Sequence, residues 1–340
     1  MKKIIFLVSL SVLIISSCKI FKGGKTLTHI SFQVDLNKPI NYGYKLPIKT
    51  IANYSNGKTK EITSKSDLTI KITGAKYEKG LIYCNSNPTS FQRDTIDISA
   101  TYIKDNKDYT VSLLIPFNYK GAVNFNFNGK NGTNGATGSK GGSTIIFRNG
   151  KDGGIGSDGG DGELGHDITM FVWKEASLYY IKINDMTDDK TYYYKANDLT
   201  QAYNIYVAGG SGGQGGQGGK GGNGRDGKKT EKRTKLPGNG GDGGQGGNGG
   251  NGGKGGNVYI FIHPNATNFQ QKITTNNIGG NPGLGGLGGK AGRGGTPLEG
   301  QSPTKNGNVG LNGSSGLQGA PGDVINIEIQ AFDIDDVKNN

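Results

Sequence analysis

The stretch Gly209-Gly210-Ser211-Gly212-Gly213-Gln214-Gly215-Gly216-Gln217-Gly218-Gly219-Lys220-Gly221-Gly222-Asn223-Gly224 decides how this chain folds. Glycine returns at every third position, and the residue after it is usually glycine as well. Comparable runs place glycine at 150, 153, 156, 159, 162 and 165, then at 241, 244, 247, 250, 253 and 256. Two more occupy 280 to 295 and 307 to 322, and a shorter run spans Gly129 to Gly141. Equal lengths recurring at a fixed period are the mark of a repeat architecture and not of a flexible linker. A period of three matches the polyproline-II conformation, which rises about 3.1 Å per residue and has no internal hydrogen bonds. Its amides must therefore find partners on neighbouring chains, and glycine lets backbones approach closely enough to supply them.

Working outward, glycine makes up 63 of 340 residues, with only six before position 121. Collagen shares the period, but only Pro282 and Pro321 fall inside the runs, and the glycine phase shifts from one run to the next. Apolar segments also separate the runs. Val123–Asn128 and Ile325–Ala331 alternate strictly, as strands do, and Ile168–Trp173, Leu178–Ile183, Ala202–Ala208 and Val258–Ile262 are further strand candidates. If successive runs are antiparallel, all these segments gather at one pole. Ser143–Asn149, Asp226–Asn239 and Thr296–Asn306 then form loops at the other. The spacing resembles that of glycine-rich antifreeze proteins and certain phage tail adhesins, a resemblance that implies a fold and no activity.

Residues 28–119 obey a different pattern: Ile30–Val34, Lys45–Asn53, Leu68–Ile72, Leu81–Cys84, Ile96–Tyr102 and Tyr109–Phe117 are short alternating runs divided by turn residues. Asn56-Gly57 is a strong hairpin signal, since both residues tolerate positive φ. The stretch Ile48-Lys49-Thr50-Ile51-Ala52-Asn53-Tyr54-Ser55-Asn56-Gly57-Lys58-Thr59-Lys60-Glu61-Ile62-Thr63 resembles the bacterial Ig-like family, which implies a spacer or adhesion module; the Trp-Ser pair of that family is absent. At the N-terminus, Lys2 and Lys3 precede an apolar run from Ile4 to Ile15, as in a secretory signal. Ile15-Ser16-Ser17-Cys18 resembles the bacterial lipobox. That resemblance implies a covalent lipid on Cys18, and Lys19, where Asp would retain the protein at the inner membrane, implies delivery to the outer membrane. No apolar stretch of about 18 residues follows.

The expected organisation is thus a signal peptide (1–17), a lipidated tether (18–27), an Ig-like β-sandwich (28–119) and a glycine region with interleaved strands (120–340). The expected fold is mostly β and irregular: the sandwich followed by a six-helix polyglycine-II bundle, formed within one chain and capped by a β-sheet.

Formal net charge is +12. Lys228, Lys229, Lys232, Arg233 and Lys235 surround one acid, Glu231, in the loop between two runs. They suit anionic glycans, lipid phosphates or an acidic protein, or simply form a solvated hairpin. Nucleic acid is disfavoured because the loop lacks aromatic stacking partners. Gly153-Gly154-Ile155-Gly156-Ser157-Asp158 begins like a calcium-binding Gly-Gly-x-Gly-x-Asp repeat, making Asp158, Asp161 and Glu163 weak calcium candidates; a firm metal site is not expected. Cys84 is the one cysteine besides Cys18, so no intrachain disulfide framework exists. Three histidines lie far apart, and His166-Asp167 is read as a polar pair at the end of a run. Tyr179, Tyr180, Tyr192, Tyr193, Tyr194, Tyr203 and Tyr206 either pack over the sheet or form a sugar-stacking platform. No catalytic residue and no cofactor is expected. Two roles suit these features: a rigid, non-catalytic adhesion or interaction module on the cell surface, or an accessory structural subunit of an outer-membrane complex with barrel proteins as partners.

Overall fold

A computed structural model describes residues 25–143, 148–231 and 233–339. The first lobe contains β1 (Leu27–Val34), β2 (Lys45–Tyr54), β3 (Thr59–Glu61), β4 (Leu68–Thr73), β5 (Ala75–Glu78), β6 (Leu81–Cys84), β7 (Thr95–Lys104) and β8 (Lys107–Pro116). One sheet runs β1-β2-β6-β5 with β3 beside β2; the other is β4-β7-β8. They face each other across Leu46, Ile48, Ile82, Ile96, Ile98 and Ile115, which are buried. Period-two alternation produces this directly: β7 reads as buried and accessible residues in turn along its length. The Asn56-Gly57 hairpin joins β2 to β3, with Gly57 at φ +76°. Cys84 is buried and unpaired in a disulfide.

The second lobe begins with β9 (Gly121–Asn126), followed by β10 (Ile168–Glu175), β11 (Leu178–Asp185), β12 (Lys190–Ala196) and β13 (Thr200–Tyr206). The two-residue strands β14 (Lys228–Lys229) and β15 (Thr234–Lys235) come next. After them lie β16 (Val258–Ile262), a 3-10 helix (Pro264–Lys272), β17 (Ile273–Asn276), β18 (Ile325–Ile329) and α1 (Ile334–Asn339). Six glycine segments lie between these elements: one (129–143), two (149–167), three (208–227), four (238–257), five (278–296) and six (305–323).

The expected six-helix polyglycine-II bundle under a single sheet is corrected by this arrangement. Among the described residues the only helices are the 3-10 helix and the six-residue α1, and the chain is otherwise strand and extended backbone. The glycine segments make no helical hydrogen bonds of their own; their amides bond outward, to other segments. Gly132 N donates to Ser211 O, Gly135 N to Gln214 O and Gly138 N to Gln217 O, a ladder with a three-residue step. The same ladder joins segment three to five, two to four, and four to six, each pair parallel. Antiparallel ladders tie successive segments: Gly244 N donates to Gly219 O and Gly289 N to Gly244 O. The result is two layers of extended chain, one-three-five and two-four-six.

Each layer continues into its own sheet. β9, β13 and β17 lead into segments one, three and five and form a parallel sheet in that order. β10, β16 and β18 follow segments two, four and six and pair in parallel, with β11 and β12 added antiparallel on the β10 side. The expected single mixed sheet is therefore two. The physical reason is side-chain volume: glycine lets the layers touch, whereas Phe125, Tyr203, Ile205, Met170, Val172, Ile181 and Ile260 need room between them. Facing sheets stand about 10 Å apart, and these side chains fill that gap. The 3-10 helix closes one flank, with Phe269 stacked on Tyr203 at 4.0 Å between ring centroids.

The two lobes are joined through side chains and a backbone hydrogen bond. Phe91, from the β6–β7 loop, sits edge-on to Trp173, Tyr180 and Tyr193 at 5.9, 5.2 and 4.9 Å. Tyr193 N donates to Pro88 O at 2.8 Å. Tyr42 reaches Tyr194, and Lys195 pairs with Asp94 at 3.2 Å.

Candidate functional site

The triplet Asp242-Gly243-Gly244 shows how the lattice positions side chains. Gly243 N donates to Asn308 O within its layer, and Gly244 N to Gly219 O across the layers. Two of the three directions are thereby occupied by backbone, so the third residue of each triplet projects from the outer face. Its own amide is often satisfied by a side chain: Asp242 N donates to Asp152 Oδ1 at 2.7 Å. The relation repeats at fixed sequence offsets. Ser211 N and Gln214 N donate to Asn131 and Asn134, 80 residues away. Asn248 N and Asn251 N donate to Asp158 and Asp161, 90 residues away. Ser314 N and Leu317 N donate to Asn248 and Asn251 across an offset of 66. The outer faces are rows of side chains, three abreast and in register.

The basic loop named from the sequence lies at the pole opposite the sheets. Lys228 faces Lys235 and Lys229 faces Thr234 in a minimal hairpin. Thr230 Oγ1 donates to Arg233 O at 2.8 Å and closes the turn. Arg225 Nη2 holds the returning strand through Leu236 O at 3.0 Å, and Arg148 Nε donates to Pro237 O at 2.8 Å. Lys228, Thr230, Glu231, Arg233 and Lys235 line a shallow depression of about 470 Å³. Lys232 and Cys18 lie outside the described residues.

The calcium candidates do not converge. Asp158 and Asp161 sit in successive rows of segment two, each accepting a backbone N–H at 2.6 Å. Glu163 pairs instead with Lys130, at 3.4 Å. A different group does come together: His166 Nδ1 is 2.8 Å from Asp185 Oδ2, and ligand atoms of His166, Asp185 and Asp188 lie within 4.8 Å of one another. Asp185 is buried and also accepts from Thr187 N and Asp188 N. Lys190 holds the Asp188 carboxyl below its ordinary range through a 2.9 Å hydrogen bond. Asp185 is thus committed to the turn after β11 and Asp188 to a lysine. His166 partners Asp185, not its sequence neighbour Asp167, because β11 returns beside the end of segment two. The 19-residue separation hid this pair from local reading.

The tyrosines pack. Tyr179, Tyr194 and Tyr203 are buried in the second core; Tyr180 stacks on Trp173, and Tyr192 lies against Phe127. Burial raises the Cys84 thiol to about 11. Among the described residues no helix is long and apolar enough to cross a membrane. Comparison with protein-family models, with curated proteins and with solved structures finds no match to this chain.

Proposed function

We propose that this chain is a non-catalytic, lipid-anchored protein of the bacterial outer membrane that presents a rigid, glycine-built interaction surface to its surroundings. The observation that supports this most is the fixed register of the outer rows, which holds side chains at set positions without a conventional core beneath them. Binding then loses little conformational freedom, because the backbone under each contact is already ordered. On this reading Cys18 carries the lipid, the Ig-like sandwich acts as a spacer, and the glycine layers stand beyond it. Localisation tests it. Labelling with a palmitate analogue should mark the wild type and not Cys18→Ala, and protease added to intact cells should remove an epitope inserted in the loop 299–302. An unlabelled wild type, or an epitope protected until lysis, overturns the proposal.

One observation favours the second role, an accessory subunit of an outer-membrane complex. Leu284, Leu287, Leu311 and Leu317 are 61–74% exposed on segments five and six, which end the two layers. Leu284 and Leu287 lie on the outer face of layer one-three-five and Leu311 and Leu317 on that of layer two-four-six, so the pairs flank the edge that segments five and six share. Exposed apolar side chains along such an edge suit a protein partner that grips it. Stoichiometric copurification of a barrel protein in mild detergent, lost when these leucines become serine, would establish that role.

A further inference from the structure

The outer face of layer one-three-five carries one row unlike its neighbours. Gly141 N donates to Lys220 O at 2.8 Å and Gly221 N to Lys290 O at 2.9 Å. This register sets Lys140, Lys220 and Lys290 side by side on three adjacent segments, and all three are exposed. None of the ion pairs among the described residues includes them. The preceding rows are neutral: Asn131–Ser211–Asn281, Asn134–Gln214–Leu284 and Thr137–Gln217–Leu287. The following row is Ser143–Asn223–Arg293, and only beyond it does an acid appear, Asp226, whose carboxyl is lowered by the Thr296 amide and by Arg293. The opposite face is acidic, with Asp152, Asp158, Asp161 and Asp242 among its outward residues.

The lysine row works against stability in two ways. Like charges directly opposite one another on hydrogen-bonded extended chains repel. Lysine also lacks an acceptor, so the row forgoes the bonds by which Asn131, Asn134 and Ser143 satisfy the next segment's amides. Asparagine at these sites would restore them, and the lattice uses asparagine freely elsewhere. A row that the fold itself disfavours points to a ligand.

We propose that Lys140, Lys220 and Lys290 bind an extended acidic polysaccharide bearing one carboxylate per sugar residue, lying across the layer. Hydrogen-bonded extended chains stand about 5 Å apart, close to the length of one sugar in an extended polyuronate. Phosphodiester polymers space their charges more widely, and linear polyphosphate more tightly. Thr137, Gln217, Ser143 and Asn223 flank the row with groups that can bond sugar hydroxyls, and the acidic opposite face repels the same polymer. This inference rests on the reading of the lattice as a displayed interaction surface, and names its ligand class.

The test measures binding of the full-length protein in mild detergent to immobilised polygalacturonate, methyl-esterified polygalacturonate and inorganic polyphosphate at one ionic strength. The wild type should bind polygalacturonate and not the esterified polymer. K140Q/K220Q/K290Q should bind at least ten-fold more weakly with a melting temperature no lower than that of the wild type, since the charge repulsion is relieved and glutamine already occupies positions 214 and 217 of this face. The single change Lys220→Gln, which splits the row, should lose about three-fold and serves if the triple variant folds poorly. K228Q/K229Q/K235Q, in the hairpin, should stay within two-fold. No binding to polygalacturonate, equal binding by K140Q/K220Q/K290Q, loss confined to the hairpin variant, or tighter binding to polyphosphate would each overturn the proposal. Because the probe is purified protein, these outcomes are independent of the localisation test of surface display.

Discussion

The number of glycines per triplet follows the number of neighbouring backbones. Segment four lies against segments two, three, five and six, and reads Gly240-Gly241-Asp242-Gly243-Gly244-Gln245; segment six has only four and five beside it, and reads Gly307-Asn308-Val309-Gly310-Leu311-Asn312. A β-carbon on Gly247 would stand 2.0 Å from Ser157 O. Gly247→Ala must therefore push segments two and four apart within their layer, at a cost of about 3 kcal/mol, the upper range for overpacking, and the melting temperature should fall by several degrees. Ser315→Ala, on the free flank of segment six, should leave it unchanged. Cys84 supports a second expectation at this scale. With its thiol raised to about 11 by burial, almost no thiolate exists at pH 8, so alkylation of the native protein should be many-fold slower than of the unfolded chain; equal rates would show that the strand opens freely. The triplet rule was legible in the residues alone. The asparagine and aspartate bonds were not, because their offsets of 80, 90, 66 and 70 have meaning only once the register is known.

Proline marks where each layer ends. Gly212 N donates to Asn281 O, and the equivalent place in segment five, 70 residues on, is Pro282; Gly255 N donates to Ala320 O, and its counterpart in segment six is Pro321. Both prolines occupy donor positions with no further segment to receive the bond, so the missing N–H costs nothing there. Gly249→Pro, by contrast, deletes the bond from Gly249 N to Ser314 O inside the lattice. It should lower the melting temperature by more than 10 °C, while Ser315→Pro, the matching place on the free flank, should shift it by no more than about 2 °C. Strand positions were largely visible from alternation, yet Lys190–Ala196 and Ile273–Asn276 were missed. The Lys190–Ala196 run holds three consecutive tyrosines and shows no alternation; Ile273–Asn276 has one apolar residue and is fixed by its parallel partner, β13. The division into two sheets was equally hidden. Pairing of β9 with β13 across 80 residues follows from the lattice register and from nothing local to either strand.

At the scale of the molecule, one register runs from the glycine layers into the sheets. The 80-residue offset that joins Asn131 to Ser211 also pairs Val123 with Tyr203, and the 90-residue offset pairs Ile168 with Val258. It slips by one residue between β16 and β18, at Asn257, whose Oδ1 accepts from both Asp323 N and Val324 N, and at the start of β13, where Thr200 faces Gly121. Layers and sheets should consequently unfold together. The first lobe is coupled differently, through a few side chains, and Phe91 is the centre of that contact. Removing its ring forfeits three edge-to-face aromatic pairs, each worth about 0.5–1.5 kcal/mol beyond area burial. The two cores on either side remain intact, because neither includes Phe91. Phe91→Ala should therefore turn one calorimetric transition into two, with the sandwich melting first and the glycine lobe near its original temperature. A single transition shifted as a whole would mean that the sandwich and the lattice are bound mainly by Tyr42, Tyr119 and Phe117, which pack into the second lobe's core, with the backbone bond from Tyr193 to Pro88 and the Lys195–Asp94 pair.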